Sequence, residues 1–374
     1  MKETTLVVLC AGNSSRFELK AKKQWLRIED EPLWLYVTKR ISSFHNFDKI
    51  IIVSHQNELN YMKNFTDNYD FVAGGSTRQQ SIKNALQKVT SSYVMITDVA
   101  RCCIPQSVIE ELVASKTKAT CIVPVLNVSD TVIYKNETIN REDVKLIQTP
   151  QLSNTEILRE ALNTQIEFTD ESSAIKNINH TIHYIQGSTE STKLTFGKEL
   201  QEISCLKAPS TDFFVGSGID IHQFENNKPM VLGGISIDSD MGFKAHSDGD
   251  VAIHSIIDAL LGAIGAGDIG EFFPDTDPQY KGIDSKELLK HIVTFVYNVG
   301  YEIVNIDLTI LAEKPKINPY KDEMKTLLSS ILGIPKQKIN IKATRGEKMG
   351  FIGRAEGVAV LSNANLKFYN WKTK

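Results

Sequence analysis

Asp220 and His222 stand two residues apart in the run Val215-Gly216-Ser217-Gly218-Ile219-Asp220-Ile221-His222, whose apolar residues alternate as in a half-buried strand. In a strand, residues i and i+2 share a face, so a carboxylate and an imidazole project together and could bind one ion. Further on, Ala245-His246-Ser247-Asp248-Gly249-Asp250 leads into an apolar-periodic run at 251–261. That pattern predicts a helix with Ser247 or Asp248 near its cap and His254 in its second turn, a third ligand. A carboxylate and two imidazoles suit a borderline-soft divalent ion such as zinc, or manganese, and leave a fourth position open for a substrate oxygen. On spacing alone, the same residues also fit strand-end polar positions and a satisfied core histidine.

The next stretch, Gly267-Asp268-Ile269-Gly270-Glu271-Phe272-Phe273-Pro274-Asp275-Thr276-Asp277, is too rich in Gly, Pro and Asp for regular structure and reads as a shaped binding loop. With the two metal stretches and Lys342-Ala343-Thr344-Arg345-Gly346-Glu347-Lys348-Met349-Gly350-Phe351-Ile352-Gly353-Arg354, it closely resembles the 2-C-methylerythritol 2,4-cyclodiphosphate synthases over residues 212–371. The resemblance implies a cyclisation in which the 2-phosphate of a diphosphocytidyl methylerythritol attacks its β-phosphate and expels CMP. It implies an ion on Asp220, His222 and His254, and a second, Mg²⁺ or Mn²⁺, held by Glu347 between phosphates. It implies substrate contacts from His246 and Ser247, methylerythritol hydroxyls on Asp268 and Gly270, and cytosine at the 312–318 loop with Ala312 and Lys316. Phe273, Asp275, Asp277 and Thr344 are further candidate binding residues, and Phe351 and Arg354 match positions near the family's threefold axis. Arg345 replaces a small hydroxyl residue, so that hydroxyl's role does not carry over unchanged, although a cation near phosphate can still assist; with His246 it completes the candidate catalytic set here. Asp258, one helical turn after His254, is either a carboxylate behind the ligands or a solvated position.

In the first half, a β-branched, apolar run at 5–10 empties into Ala11-Gly12-Asn13-Ser14-Ser15-Arg16, with Lys23 beyond. Backbone N–H groups of such a loop can wrap a polyphosphate while the cations neutralise charge, although a strand-to-loop glycine also serves ordinary turns. Asp98 follows another apolar strand, where phosphate-bound Mg²⁺ would need a carboxylate and an ordinary turn would also accept one. Gly74-Gly75-Ser76-Thr77-Arg78 and Arg101 stand at further strand ends. Joined by Arg141, Thr149-Pro150-Gln151, Thr169-Asp170-Glu171 and Lys193, these residues resemble the 2-C-methylerythritol 4-phosphate cytidylyltransferases over residues 4–205. That family joins CTP to methylerythritol phosphate and releases pyrophosphate.

By this resemblance, Arg16 and Lys23 stabilise charge developing at the α-phosphate, and Arg141 and Lys193 hold the attacking phosphate. Nucleotide and substrate contacts fall to Ala11, Gly12, Gly75, Ser81, Asp98, Arg101, Thr149 and Thr169, with Mg²⁺ or Mn²⁺ on the phosphates and Asp98. A phosphate nucleophile is already anionic, so positioning and charge neutralisation matter more than a base. Three residues depart from the family pattern: Lys22 replaces a proline before Lys23, Ser76 an acidic residue, and Cys102 a proline after Arg101. The first implies a less rigid loop; the others bear on nucleotide choice.

The elements that must position these groups are legible in outline. Apolar strands at 5–10, 49–54, 93–97 and 119–125 alternate with helical patterns at 33–42, 79–88 and 106–114, the signature of a mostly parallel α/β sheet that binds ligands beyond its carboxyl edge. A hydrophilic hairpin-like arm at 127–141 follows, then helices at 154–161 and 171–177, a strand at 181–186 and a helix near 196–203. Residues 205–212 are the best linker stretch. Beyond it, a strand to His222, the His254 helix, a helix at 285–299, strands at 302–311, 339–344 and 357–362 and a helix at 321–332 read as a compact α+β layer. The fold class is therefore α/β: a Rossmann-like nucleotidyltransferase domain at 1–208 with a β-arm, a linker at 209–212, and a trimer-forming domain at 213–374.

The chain has 374 residues and a net charge of -3, which gives no electrostatic case for nucleic acid. The N-terminal apolar run is too short for a signal or a membrane span, so a soluble, cytoplasmic protein is expected. Five cysteines, Cys10, Cys102, Cys103, Cys121 and Cys205, with no C-x-x-C pair, argue against a disulfide framework and a thiolate zinc site. Together these features predict a fusion of two enzymes of isoprenoid precursor synthesis with a separate kinase between their steps. Its transferase half should dimerise through the arm and its synthase half should trimerise, which a hexamer satisfies. Two alternatives remain: a transferase acting on another polyol phosphate such as ribitol phosphate, and a non-catalytic, metal-dependent second half.

Overall fold

The computed structural model describes residues 3–373 other than 202, 204, 246, 275 and 281. It divides into two compact units, Met1–Pro209 with Asn370–Lys374, and Ser210–Tyr369. The expected second domain ran to residue 374, whereas residues 370–374 are counted with the first unit. There Trp371 is buried and donates its indole N–H to the Arg27 carbonyl at 2.7 Å.

The first unit is built on β1 (Thr4–Cys10), β2 (Lys49–Ser54), β3 (Asp70–Ala73), helix α1 (Arg78–Leu86), β4 (Tyr93–Asp98), β5 (Cys121–Asn127), β6 (Lys145–Ile147), β7 (Gln151–Asn154) and β8 (Ile182–Gln186). The sheet runs β6-β5-β7-β4-β1-β2-β3, and β8 also pairs with β5. β1 is parallel to both neighbours, with Cys10 opposite Ser54 and Leu9 opposite Asp98. Three strands therefore end at one edge, which brings the 11–16 loop, His55 and Asp98 together. β7 was not foreseen; its Gln151-Leu152-Ser153-Asn154 has no apolar alternation and is a strand because it fills the antiparallel slot between β4 and β5. The helix expected near 196–203 is a short 3₁₀ turn, Gly197–Gln201. The arm is a hairpin of Val132–Tyr134 and Glu137–Ile139.

In this unit Cys103 is disulfide-bonded to Cys205, with Cα atoms 5.9 Å apart across 102 residues of sequence. This corrects the reading of the cysteines as arguing against disulfides, because pairing at such separation depends on tertiary proximity that spacing does not reveal. Cys10, Cys102 and Cys121 are free and buried.

The second unit contains β9 (Phe213–Asn226), β10 (Met241–Phe243), α2 (Val251–Ile264), α3 (Ser285–Asn298), β11 (Tyr301–Leu311), α4 (Lys321–Leu332), β12 (Ile339–Thr344) and β13 (Gly357–Phe368). Its sheet runs β10-β9-β13-β11-β12. Helix α2 lies directly on β9: a Cβ at Gly216 would collide with the Ala259 carbonyl, and one at Gly218 with the Ser255 carbonyl. Those glycines let the helix approach closely enough to bring His254 over the strand. The alternation in β9 has the polarity opposite to a half-buried strand, since Phe213, Val215, Ile219 and Ile221 are exposed while Gly216 and Gly218 face α2. Among the described residues, no helix is long and apolar enough to cross a membrane.

Candidate functional sites

In the second unit, β9 and α2 deliver three ligand atoms to one point. Asp220 Oδ2 lies 3.1 Å from His222 Nε2 and 3.1 Å from His254 Nδ1, and one ligand atom from each residue falls within 4.8 Å of the others. All three side chains are mostly buried. Burial works against the Asp220 charge, yet hydrogen bonds from both imidazoles hold its carboxyl well below the usual range. Burial also disfavours charge on His254, but the Asp220 carboxylate outweighs it and raises the imidazole above its ordinary value.

The ring of His254 is fixed from behind. Its Nε2 lies 2.9 Å from Ser285 Oγ, and Ser285 donates both its backbone N–H and its hydroxyl to Asp248. A metal-binding imidazole needs such a partner on its other nitrogen to set its orientation. Asp248 thus serves this relay; the helix cap is Asp250, which accepts from Ala252 and Ile253 and also from Gly233 and Gly234. His254 accordingly falls in the first turn of α2. Asp258 accepts the backbone N–H of Ile269 at 2.9 Å and so anchors the binding loop instead of a ligand. A donor set of one carboxylate and two imidazoles, with ring orientation fixed and His222 Nδ1 buried without a partner, fits a divalent ion.

A cavity of about 690 Å³ opens beside this group, lined among others by His222, Lys244, Ser247, His254, Gly270, Phe273, Asp277 and Tyr280. Asp268 caps the turn beneath it through the Glu271 N–H.

In the first unit, a cavity of about 530 Å³ sits at the strand edge, lined by the 11–16 loop, Lys23, Gln24, His55, Gly75, Arg78, Ser81, Asp98 and Lys193. Cations dominate it. Lys23 has its ammonium pushed below the usual range by burial and then by Lys193 and Arg16, so the site favours an anion of several charges. Asp98 is the counter-charge: Arg78 Nε donates to one oxygen at 3.1 Å and Lys193 Nζ to the other at 2.6 Å. Burial opposes its ionisation, but these two cations hold the carboxyl down to about 2. Both oxygens are taken by cations, so Asp98 organises Arg78 and Lys193 at the cavity. Arg78 also binds the buried Glu171 at 2.8 Å.

A family model described as 2-C-methyl-D-erythritol 4-phosphate cytidylyltransferase matches residues 4–205, and a YgbB family model matches residues 213–367. A bifunctional enzyme IspD/IspF of Aliarcobacter butzleri is 70% identical over 374 residues, covering 100% of both chains. The chain belongs to the bifunctional IspD/IspF enzymes. Another member, from Sulfurimonas denitrificans, is 54% identical over 98% of this chain and 95% of its own. The solved bifunctional IspDF from Campylobacter jejuni has a TM-score of 0.89 and 47% identity, covering 99% of this chain and 100% of that one. The enzyme is thus a cytidylyltransferase unit and a cyclodiphosphate synthase unit of the methylerythritol phosphate pathway in one polypeptide.

Within one bifunctional IspD/IspF chain, part of each expected set stands apart. Arg141 is exposed beside the arm, donating to the Ser129 carbonyl at 2.6 Å, and Thr169 is exposed, donating to Asp170. Arg101 and Thr149 are joined to each other at 3.2 Å behind the strand edge. In the synthase unit, Ala312 N–H donates to the Thr344 carbonyl at 3.0 Å, and Gly346 N–H to Glu313 at 3.2 Å. Lys316, Arg345 and Glu347 belong to these loops and turns, Phe351 lies in a short helix, Gly350–Gly353, and Arg354 pairs with Glu356. None of them, among the described residues, lines the cavity beside His254. Glu347, expected to hold a second ion, stands outside the three-ligand group. His246 and Asp275 lie outside the described residues.

Sequence reasoning does not single out Gln24, His55 or Ser285. Arg78 falls in the candidate stretch at a strand end without a role of its own, and Asp248 enters only as a possible helix cap. Ser285 carries no such signal, because its partner His254 is 31 residues away.

Proposed function

We propose that the first unit catalyses attack of the phosphate of 2-C-methyl-D-erythritol 4-phosphate on the α-phosphorus of CTP. The new P–O bond forms as the bond to pyrophosphate breaks, giving 4-diphosphocytidyl-2-C-methyl-D-erythritol. Backbone groups of the loop at Ala11 and Gly12 cradle the triphosphate, and Arg16 and Lys23 face the charge that develops on it. Asp98 holds Lys193 toward the acceptor phosphate, and Gly75, Ser81, Arg101 and Thr149 shape the nucleotide side. Mg²⁺ or Mn²⁺ accompanies the triphosphate. Arg141 and Thr169 act from a second copy, a reading supported by the exposed Ile133, Tyr134, Leu146 and Ile147 on and beside the arm.

The second unit takes 4-diphosphocytidyl-2-C-methyl-D-erythritol 2-phosphate, whose 2-phosphate attacks the β-phosphate and expels CMP. Asp220, His222 and His254 hold the metal, zinc or manganese, and Ser285 fixes the His254 ring. When bound, the ion supplies Lewis-acid polarisation of the β-phosphate. Ser247, Asp268, Gly270, Phe273 and Asp277 receive the methylerythritol end, with His246 and Asp275 in the same loops. Ala312, Lys316, Thr344, Arg345 and Glu347 face the cytidyl diphosphate of a neighbouring copy, and Glu347 carries the second ion. The exposed apolar face of β9 supports a trimer in which that face is covered, with Phe351 and Arg354 toward its axis. A trimeric synthase and a dimeric transferase give a hexamer. The cytidylyltransferase domain is assigned to 1–208 together with 370–374 and the synthase domain to 213–369, joined at 209–212, in a cytoplasmic enzyme with no nucleic-acid or membrane partner.

The observation that carries this reading is the convergence of three ligand atoms within 4.8 Å beside the synthase cavity. Asp220→Ala should abolish CMP release while leaving assembly and pyrophosphate release intact; persistent CMP release sinks the metal assignment. Pyrophosphate release from CTP should favour methylerythritol phosphate over ribitol 5-phosphate, and the reverse preference sinks the acceptor assignment.

A further inference from the structure

Glu58 belongs to neither set of expected site residues. It closes a 3₁₀ turn, Gln56–Glu58, just after β2, and its side chain is 2% exposed. One carboxylate oxygen pairs with the ammonium of Lys22. The other accepts from Trp25 Nε1 at 2.6 Å and from Gln24 Nε2 at 3.3 Å. A single buried carboxylate thus collects three side chains from the segment that carries Lys23.

Gln24 passes this hold to the phosphate loop. Its Nε2 also donates to the Gly12 carbonyl at 3.1 Å, and its Oε1 accepts from Ser14 Oγ at 3.4 Å. Ser14 Oγ in turn accepts the Lys23 backbone N–H at 3.1 Å. Gly12, Ser14, Lys23 and Gln24 line the nucleotide cavity, whereas Glu58 does not. The far side of the hub is immobilised, since Trp25 is fully buried against Trp34, Tyr61 and Phe65.

We propose that Glu58 is a positioning residue for cytidylyl transfer: it fixes the distance between the 12–16 loop and Lys23, which must grip one triphosphate from two sides. The inference rests on the transferase reading of this unit. A misplacement of about 1 Å in such a pair is enough to cost on the order of 100-fold in rate. The same hub accounts for Lys22, whose pairing ties down a loop that the loss of proline was expected to loosen.

The test separates positioning from stability. Replacing a buried ion pair by apolar groups of similar size commonly preserves stability, so Lys22→Met/Glu58→Leu should melt close to the unmodified enzyme. Its kcat for pyrophosphate release from CTP should nevertheless fall by about tenfold or more, with a smaller change in the KM for CTP. Glu58→Gln keeps an acceptor for Trp25 and should retain most of the rate. CMP release by the synthase unit of the same polypeptide should be unchanged throughout. Pyrophosphate release at the unmodified kcat in the double variant overturns the proposal, as does a loss that follows the unfolded fraction. Should the double variant not fold, Gln24→Met cuts the relay beyond Glu58, and an unaltered kcat there overturns it equally. If the unmodified enzyme itself released no pyrophosphate, the transferase reading would fail instead.

Discussion

Lys193 donates its ammonium to Asp98 at 2.6 Å, on the carboxylate oxygen that Arg78 leaves free. In the proposed reaction, the cation that meets the incoming phosphate is thereby held by an anion that the phosphate partly replaces. Asp98→Asn keeps the shape and removes the charge. Pyrophosphate release should drop by roughly 10- to 1000-fold, the range for losing one placed electrostatic group, and steady-state kinetics on CTP would check it.

The same carboxylate gives a pH signature. Its pKa in the folded enzyme, about 2, lies below the ordinary 3.8, so the native state favours the ionised form. The stabilisation is fully present above pH ~4 and is lost as pH falls through ~2, amounting to about 2 kcal/mol. In acid unfolding of the transferase unit, the advantage of the unmodified enzyme over Asp98→Asn should shrink across that window. A constant difference would show that Asp98 is not ionised against its two cations.

Ser285 touches His254 but lies outside the three-ligand group. Ser285→Ala should leave the fold intact and weaken divalent-ion binding by about 10- to 100-fold, the usual cost of losing the group behind a metal-binding imidazole. Titration of chelator-stripped protein with zinc or manganese measures this directly. Chelation alone should stop CMP release, and added ion should restore it.

Gly218→Ala places a methyl group against the Ser255 carbonyl. Forcing α2 away from β9 should cost about 1–3 kcal/mol and separate His254 from Asp220, so metal affinity and melting temperature should fall together. A variant that melted lower but bound the ion as before would show that the close approach is not what sets the site.

The thiols offer a simple count. Burial pushes Cys102 up to about 12 and lifts Cys10 and Cys121 as well, so a thiolate-selective reagent should modify none of them in the native enzyme. Unfolding should reveal three thiols and reduction five, given the Cys103–Cys205 bond. Five reactive groups without reductant would refute that bond.

How much of this was legible in the sequence depended on the range of each signal. The two-residue spacing of Asp220 and His222, the helix carrying His254 and the strand ends at Cys10 and Asp98 are local, and they stand at those elements in the structure. The loop at Gly12–Arg16 could likewise be placed at a strand end, and it lines the cavity there. What escaped was non-local. β7 has no strand pattern of its own, Ser285 meets His254 only through packing, and the Cys103–Cys205 bond joins residues 102 apart in sequence. β9 misled through polarity: its apolar residues were read as inward because a strand normally buries them, yet here glycine occupies that face beneath a helix. Arg141 and Glu347 line neither cavity, and the proposed reading brings them in from neighbouring copies.

The burial of Trp371 in the first unit changes what kind of fusion this is. With residues 370–374 returned, the synthase is an insert between residues 209 and 370 of the transferase, and its two ends run side by side, Phe213 opposite Lys367. A gene cut once at the linker would therefore release a transferase without residues 370–374 and the buried Trp371. The separation that respects the fold is an excision: remove 210–369, bridge the gap with a few flexible residues, and keep the segment that carries Trp371.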